Sequence, residues 1–166
     1  MGAMPGSQCW QEHKFGFGPL IDGMFSQSNF GVVTKMGFWL APAPDAYLAG
    51  RVSVPRLEDI HARVEGVNLV DNLGIANGFH VFNSPALGDP VALQHFGKDT
   101  RDPEVIALQE RPQGASLEEI DRVVARKGIP FWDAELKFYG DADVVRAQWA
   151  AAQRRFSHIE GVRFEE

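Results

Sequence analysis

Apolar positions follow two different periods along this chain, and the changes of period mark out its elements. Residues 31–40 (Gly-Val-Val-Thr-Lys-Met-Gly-Phe-Trp-Leu) are β-branched and aromatic as strands are, and the Ala-Pro-Ala-Pro that follows ends the run. Tyr47, Val52 and Val54 predict a second strand. Pro55 then stands where a first-turn proline would, and Leu57, Ile60 and Val64 keep three- and four-residue spacing up to Gly66, the expected C′ residue of a short helix. Residues 78–83 read as a strand, and residues 84–103 mix Pro, Gly and Asp as a long irregular link. Ser116 precedes Glu119 by three, the spacing of a capping box, and Leu117, Ile120, Val123 and Val124 mark one helical face up to Gly128. Phe131, Trp132, Leu136, Phe138 and Tyr139 predict a strand, and Gly140-Asp141 a turn and N-cap. Val144, Val145, Gln148, Trp149, Ala152 and Phe156 then predict a helix of about four turns, and residues 161–164 open a last strand. From residue 46 the order is β-α-β, the link, then α-β-α-β. Such alternation implies a sheet covered by helices, in an α+β or α/β sandwich.

Residues 1–44 differ in kind. They hold 7 of the 18 aromatics and 7 of the 17 glycines, with only two basic and two acidic side chains. Trp10, Phe15, Phe17, Phe25, Phe30, Phe38 and Trp39 in a charge-poor stretch need a surface to cover them, and the glycines give the segment little tendency to form a helix of its own.

With 166 residues and 45% hydrophobic content, one ordinary globular domain is expected, not a disordered or fibrous chain. The net charge of -6 and the absence of any Lys/Arg cluster argue against nucleic acid and anionic membrane surfaces as partners. Apolar runs such as that from Val144 to Ala152 are broken by charge far short of the ~20 residues of a membrane span, and the N-terminus has no signal-like pattern. A cytoplasmic location is expected. The single cysteine, Cys9, has no partner within the chain for a disulfide.

No complete catalytic constellation emerges from the residues. The GxG within residues 15–19 lacks a third glycine and runs into Pro19 rather than a helix, so it does not cradle a pyrophosphate; close passage of the backbone against another surface explains it better. His13, His61, His80, His95 and His158 show no paired spacing, and no metal site is expected. No nucleophile elbow or Cys-His grouping occurs. The acidic pairs Glu118-Glu119 and Glu165-Glu166 read as solvated charge, and Asp22, before Gly23, as a turn residue.

Beside this reading stands a resemblance. The run Met1-Gly2-Ala3-Met4-Pro5-Gly6 and residues 15–37, FGFGPLIDGMFSQSNFGVVTKMG, resemble the vanillyl-alcohol oxidase/4-cresol methylhydroxylase family of FAD-dependent oxidoreductases, whose text has the form GFGPxxDGxFxQSNxGIVTKMG. Residues 137–140 (KFYG), Arg155-Phe156 and residues 159–164 (IEGVRF) are similar to text further along the family, whereas 45–128 match more in element order than in letters. Family members are about three times as long, with a flavin-binding domain and a cap domain over the flavin and the phenol. The resemblance therefore implies that residues 1–44 correspond to the end of the FAD-binding domain and 45–166 to the first half of the substrate (cap) domain. The implied fold is α+β: an antiparallel or mixed sheet with helices on one face, the ferredoxin-like half of a flavoprotein cap, preceded by an extended Gly/aromatic-rich segment.

The resemblance also implies FAD as cofactor and para-substituted phenols of the 4-cresol/vanillyl-alcohol type as substrates. By position it names Asn29, Gly31, Val32, Val33 and Thr34 as flavin contacts. It transfers no catalytic residue: the family's phenol-binding tyrosines and arginine, its aspartate near the flavin and its covalent flavin tether lie in segments with no counterpart here, and Asp22 does not occupy that aspartate's motif. The expectation is a piece of such an enzyme, catalytically incomplete alone and without FAD when isolated. The alternative is a free-standing homodimeric module that binds a small ligand or another protein. A homodimer or a complementary flavoprotein fragment is the expected partner.

Overall fold

The computed structural model describes Gly6, residues 22–35, Leu40 and residues 42–78 and 80–166. The chain divides into two compact units, 1–43 and 44–166. In the first, one turn of 3-10 helix covers Asp22–Phe25. It is closed by Ser26 N–H donating to the Gly23 carbonyl at 3.2 Å, and the Ser28 hydroxyl donates to the Met24 carbonyl. Residues 31–35 then continue without strand pairing, so the strand expected over 31–40 is not formed there. Strand propensity alone does not suffice, because an isolated strand leaves its backbone groups to water. Residues 36–39 of that expectation, the motif at 15–19, Cys9, His13 and the aromatics Trp10, Phe15, Phe17, Phe38 and Trp39 lie outside the described residues.

The second unit runs β1 (Ala46–Val54), α1 (Ile60–Asn72), β2 (Val81–Asn83), α2 (Pro90–Phe96), α3 (Pro103–Gln109), α4 (Leu117–Lys127), β3 (Trp132–Gly140), α5 (Ala142–Phe156) and β4 (Arg163–Glu165). The sheet order is β2-β3-β1-β4 and every pairing is antiparallel. Set aside α2 to α4, and this is a βαββαβ unit of the ferredoxin-like kind, the α+β class expected. β1 and β3 pair along their whole length, from Ala46↔Gly140 to Val54↔Trp132. With side chains alternating across the sheet, Val52, Val54, Ala134, Leu136 and Phe138 pack with Val67 and Val70 of α1 and with Val145, Trp149, Ala152 and Phe156 of α5. A second core joins Ala86, Val105, Ile120, Val124 and Phe131, and Trp132 touches both.

Local signals explain most boundaries. Ser116 and Glu119 form the reciprocal capping box, Gly128 ends α4 in the left-handed conformation (φ 68°), and Asp141 caps α5 through Asp143 N–H. Two expectations need correction. α1 passes through Gly66 and ends at Asn72, because Gly66 lies under the Phe156 ring, where a Cβ would come within 2.5 Å of Cε1. The stop falls instead at Gly74 (φ 62°). Consequently α1 buries Arg63, Gly66, Val67 and Val70, while Val64 is exposed. The irregular link over 84–103 in fact contains α2 and leads directly into α3. Each of these helices starts at an Asp-Pro pair. Asp89 accepts from Ala92 N–H at 3.2 Å and Asp102 from Glu104 N–H at 2.9 Å, so each proline sits at the first helical position.

α3 is tied to α4 by exposed charges. Lys127 lies 2.7 Å from Asp102 and 3.4 Å from Glu104, and Arg126 pairs with Glu104. The hydrogen bond from Lys127 holds the Asp102 carboxyl below its usual value, and Arg126 does the same for Glu104. A carboxylate held low in the folded state lends stability above its unfolded pKa and loses it as pH falls through the folded value. Acidification below about pH 4 is therefore expected to loosen α3 from α4 before the sheet opens, and added salt to weaken the tie at neutral pH. Amide exchange in α3 that stays as slow as in β1 and β3 down to acid unfolding contradicts this.

Candidate functional site

The residues named as flavin contacts follow one another along the first unit. Asn29, Gly31, Val32, Val33 and Thr34 are all exposed, and the apolar members strongly so: Phe30 is 69% exposed, Val32 89% and Val33 54%. Among the described residues their backbone groups make no hydrogen bond. Gly31 sits against Phe25, where a Cβ would stand 3.2 Å from the ring. A glycine wedged beside an aromatic, followed by unpaired amides and outward valines, is a surface that a flat heteroaromatic ring can cover. The ring's edge would take up main-chain donors and acceptors, and its face would cover apolar side chains. As one wall of a flavin site these residues fit.

Among the buried polar groups of the second unit, Arg63 and Asp133 were not singled out by the sequence reading. Arg63 of α1 is 5% exposed, its guanidinium 5.0 Å from the Phe82 ring centroid and 5.9 Å from that of Trp132. It donates to the Asp133 carbonyl, and burial pulls its pKa down while the Asp133 charge opposes this. Asp133 is 8% exposed on the sheet face opposite α1 and α5. Burial pushes its carboxyl up; Ser53, and Arg51 at 4.0 Å, oppose the shift. The signals existed: Arg63 lies four and seven residues before the core positions Val67 and Val70, and Asp133 sits inside an apolar strand.

Elsewhere Asp71 meets the His80 ring at 2.9 Å. An open cleft of about 500 Å³ is lined by Leu57, Glu58, Ile60, His61, Glu118 and Asp121. Its three carboxylates do not favour an anionic ligand. Among the described residues no three His, Cys, Asp or Glu side chains converge as a metal site would need. No helix of the described residues is long and apolar enough to cross a membrane.

The fold is of the α+β class, a four-stranded antiparallel sheet of ferredoxin-like topology with helices. No family model matches the chain. It is 57% identical, over 149 residues, to the flavoprotein subunit of 4-cresol dehydrogenase (hydroxylating) from Pseudomonas putida, a match covering 90% of this chain and 27% of that subunit. It is 54% identical over 43 residues to 1'-carboxy-chondrochloren decarboxylase from Chondromyces crocatus, covering 26% of this chain and 8% of that protein. Among solved structures it matches p-cresol methylhydroxylase with substrate bound (TM-score 0.76) and the isoeugenol complex of 4-ethylphenol oxidase from Gulosibacter chungangensis (TM-score 0.77). Each match is at 26% identity and covers 99% of this chain and 30% of the other. The chain thus resembles these flavoproteins over part of their length and spans little more than a quarter of the Pseudomonas putida subunit.

Proposed function

We propose that this chain is one portion of a FAD-dependent oxidoreductase acting on para-substituted phenols, and that it is catalytically incomplete by itself. Residues 1–44 are the end of the flavin-binding domain and 45–166 the first half of the substrate-covering cap. Asn29, Gly31, Val32, Val33 and Thr34 hold the flavin edge through main-chain groups and small or β-branched side chains. When bound, the flavin supplies the hydride acceptor. This chain supplies one wall, orients the ring and keeps water from it, and no described side chain is assigned a proton-transfer step. The carrying observation is the exposed run 29–34, whose backbone makes no hydrogen bond among the described residues and whose Gly31 sits against Phe25, in a chain 57% identical to part of the flavoprotein subunit of 4-cresol dehydrogenase. The reading keeps the protein in the cytoplasm, where a lone cysteine such as Cys9 stays reduced.

The same exposure favours a second reading, a homodimer in which residues 1–44 are covered across two chains, either as a free-standing module or until a complementary flavoprotein fragment replaces the partner. One preparation tests both. The purified chain is expected to be colourless, to retain no stoichiometric FAD and to turn over no 4-alkylphenol with any electron acceptor, while light scattering gives twice the chain mass. Stoichiometric flavin overturns the incompleteness, and a monomer at high micromolar concentration overturns the dimer.

A further inference from the structure

Among the described residues, every position with positive φ is a glycine except Gln27, at φ 52°. A side chain in this conformation crowds its Cβ against a neighbouring carbonyl, and glutamine lacks the short polar side chain with which Asn or Asp bonds locally to offset that cost. A strained residue of this kind persists only where its surroundings impose it, and such residues gather at ligand clamps and active sites. Gln27 is exposed, so burial of its side chain does not hold it there.

What imposes the conformation is a pair of contacts that meet across the turn. The 3-10 turn of Asp22–Phe25 is closed by Ser26 N–H donating to the Gly23 carbonyl at 3.2 Å. Beyond Gln27, the Ser28 hydroxyl reaches back to the Met24 carbonyl. Gly31 then returns against the Phe25 ring, where a Cβ would stand 3.2 Å from Cε1. A chain leaving a helical turn reverses in this way when the residue past its end is left-handed, a position that glycine usually fills. Gln27 fills it here. A right-handed or extended residue 27 would carry the chain away from Phe25, and both contacts would be lost. The strain thus stands two residues before Asn29 and four before Gly31, at the entrance to the run 29–34.

We infer that Gln27 is a positioning residue for the flavin wall: its left-handed backbone turns residues 29–34 back against Phe25 and fixes them in the orientation that receives the ring. The inference rests on the function proposed above. Gln27 acts through Gly31 and its neighbours rather than through its own amide. A wall fixed before the flavin arrives removes part of the ordering cost of binding.

Three substitutions separate the backbone from the side chain. Gln27→Gly and Gln27→Asn accept the left-handed region, whereas Gln27→Val resists it, because a β-branched side chain is poorly tolerated there. In the purified chain, nuclear Overhauser cross-peaks between the Phe25 ring and the Gly31 Hα protons are expected for the parent and for the Gly and Asn variants, and to be lost in the Val variant. FAD affinity is read by flavin fluorescence in a hybrid in which this chain replaces the matching part of the Pseudomonas putida subunit. It is expected to fall by about tenfold or more for Gln27→Val and to stay within about threefold of the parent for the other two. The Tm of the flavin-free hybrids should hold across all four, since the turn is exposed. Cross-peaks that survive in the Val variant, or an FAD affinity there equal to the parent's, overturn the inference. An equal loss of affinity in all three variants also overturns it, by assigning the effect to the glutamine side chain. A parent hybrid that folds but takes up no FAD defeats the proposed function and, with it, the role of Gln27 in the site; the turn itself is then still read by the cross-peaks.

Discussion

Replacing Trp149 with Ala is expected to destabilise the protein by about 3–5 kcal/mol, the range for emptying a large aromatic site in a packed core. The ring is 3% exposed and lies between the two halves of the unit. Its six-membered ring covers Gly50 of β1, its centroid is 5.7 Å from that of Phe138 in β3, and it meets Phe164 of β4. One side chain of α5 therefore touches three strands, and small neighbours cannot collapse into the space it leaves. Gly50 supplies an internal control. A Cβ there would stand 2.5 Å from the indole, so Gly50→Ala alone should cost about 1–3 kcal/mol by overpacking. With Trp149 already replaced by Ala, the same substitution should cost far less, since the atom it collides with is gone. Denaturant titrations of the four proteins decide it. A loss below about 1 kcal/mol for Trp149→Ala, or strict additivity with Gly50→Ala, would contradict the packing described.

The second large effect concerns Gly31. In a hybrid in which this chain replaces the matching part of the Pseudomonas putida subunit, Gly31→Val is expected to weaken FAD binding more than about tenfold, or about 1.4 kcal/mol. A Cβ at this position already presses Phe25 at 3.2 Å, so a branched side chain must turn outward, onto the wall proposed for the ring. The surface location makes the fold itself indifferent to the change, and the Tm of the flavin-free hybrid should hold. Undiminished flavin affinity would remove residues 29–34 from the site.

How much of this was legible in the sequence depended on whether the signal was local. The capping box at Ser116, the N-cap at Asp141 and the alternation in β3 act within a few residues and were readable directly. Asp89-Pro90 and Asp102-Pro103 are equally local, yet the surrounding Pro, Gly and Asp composition masked two helix starts. Gly66 misled because its stop signal is cancelled from a distance: Phe156 arrives 90 positions later and turns the missing side chain into a packing site. Arg63 was hidden for a similar reason, since a charge on an amphipathic face reads as solvent-facing until Phe82 and Trp132 are seen to enclose it. The candidate flavin wall was legible only through resemblance. Exposed valines and a glycine carry no chemistry that spacing alone reveals.

The central claim, that this chain furnishes a working part of a phenol-oxidising flavoprotein, is tested most directly by the visible flavin absorption of that hybrid without the Gly31 substitution. The expected result is about one FAD per chain and oxidation of 4-cresol. A hybrid that folds as stably as the parent subunit yet carries no flavin, under conditions that load the parent fully, would contradict it.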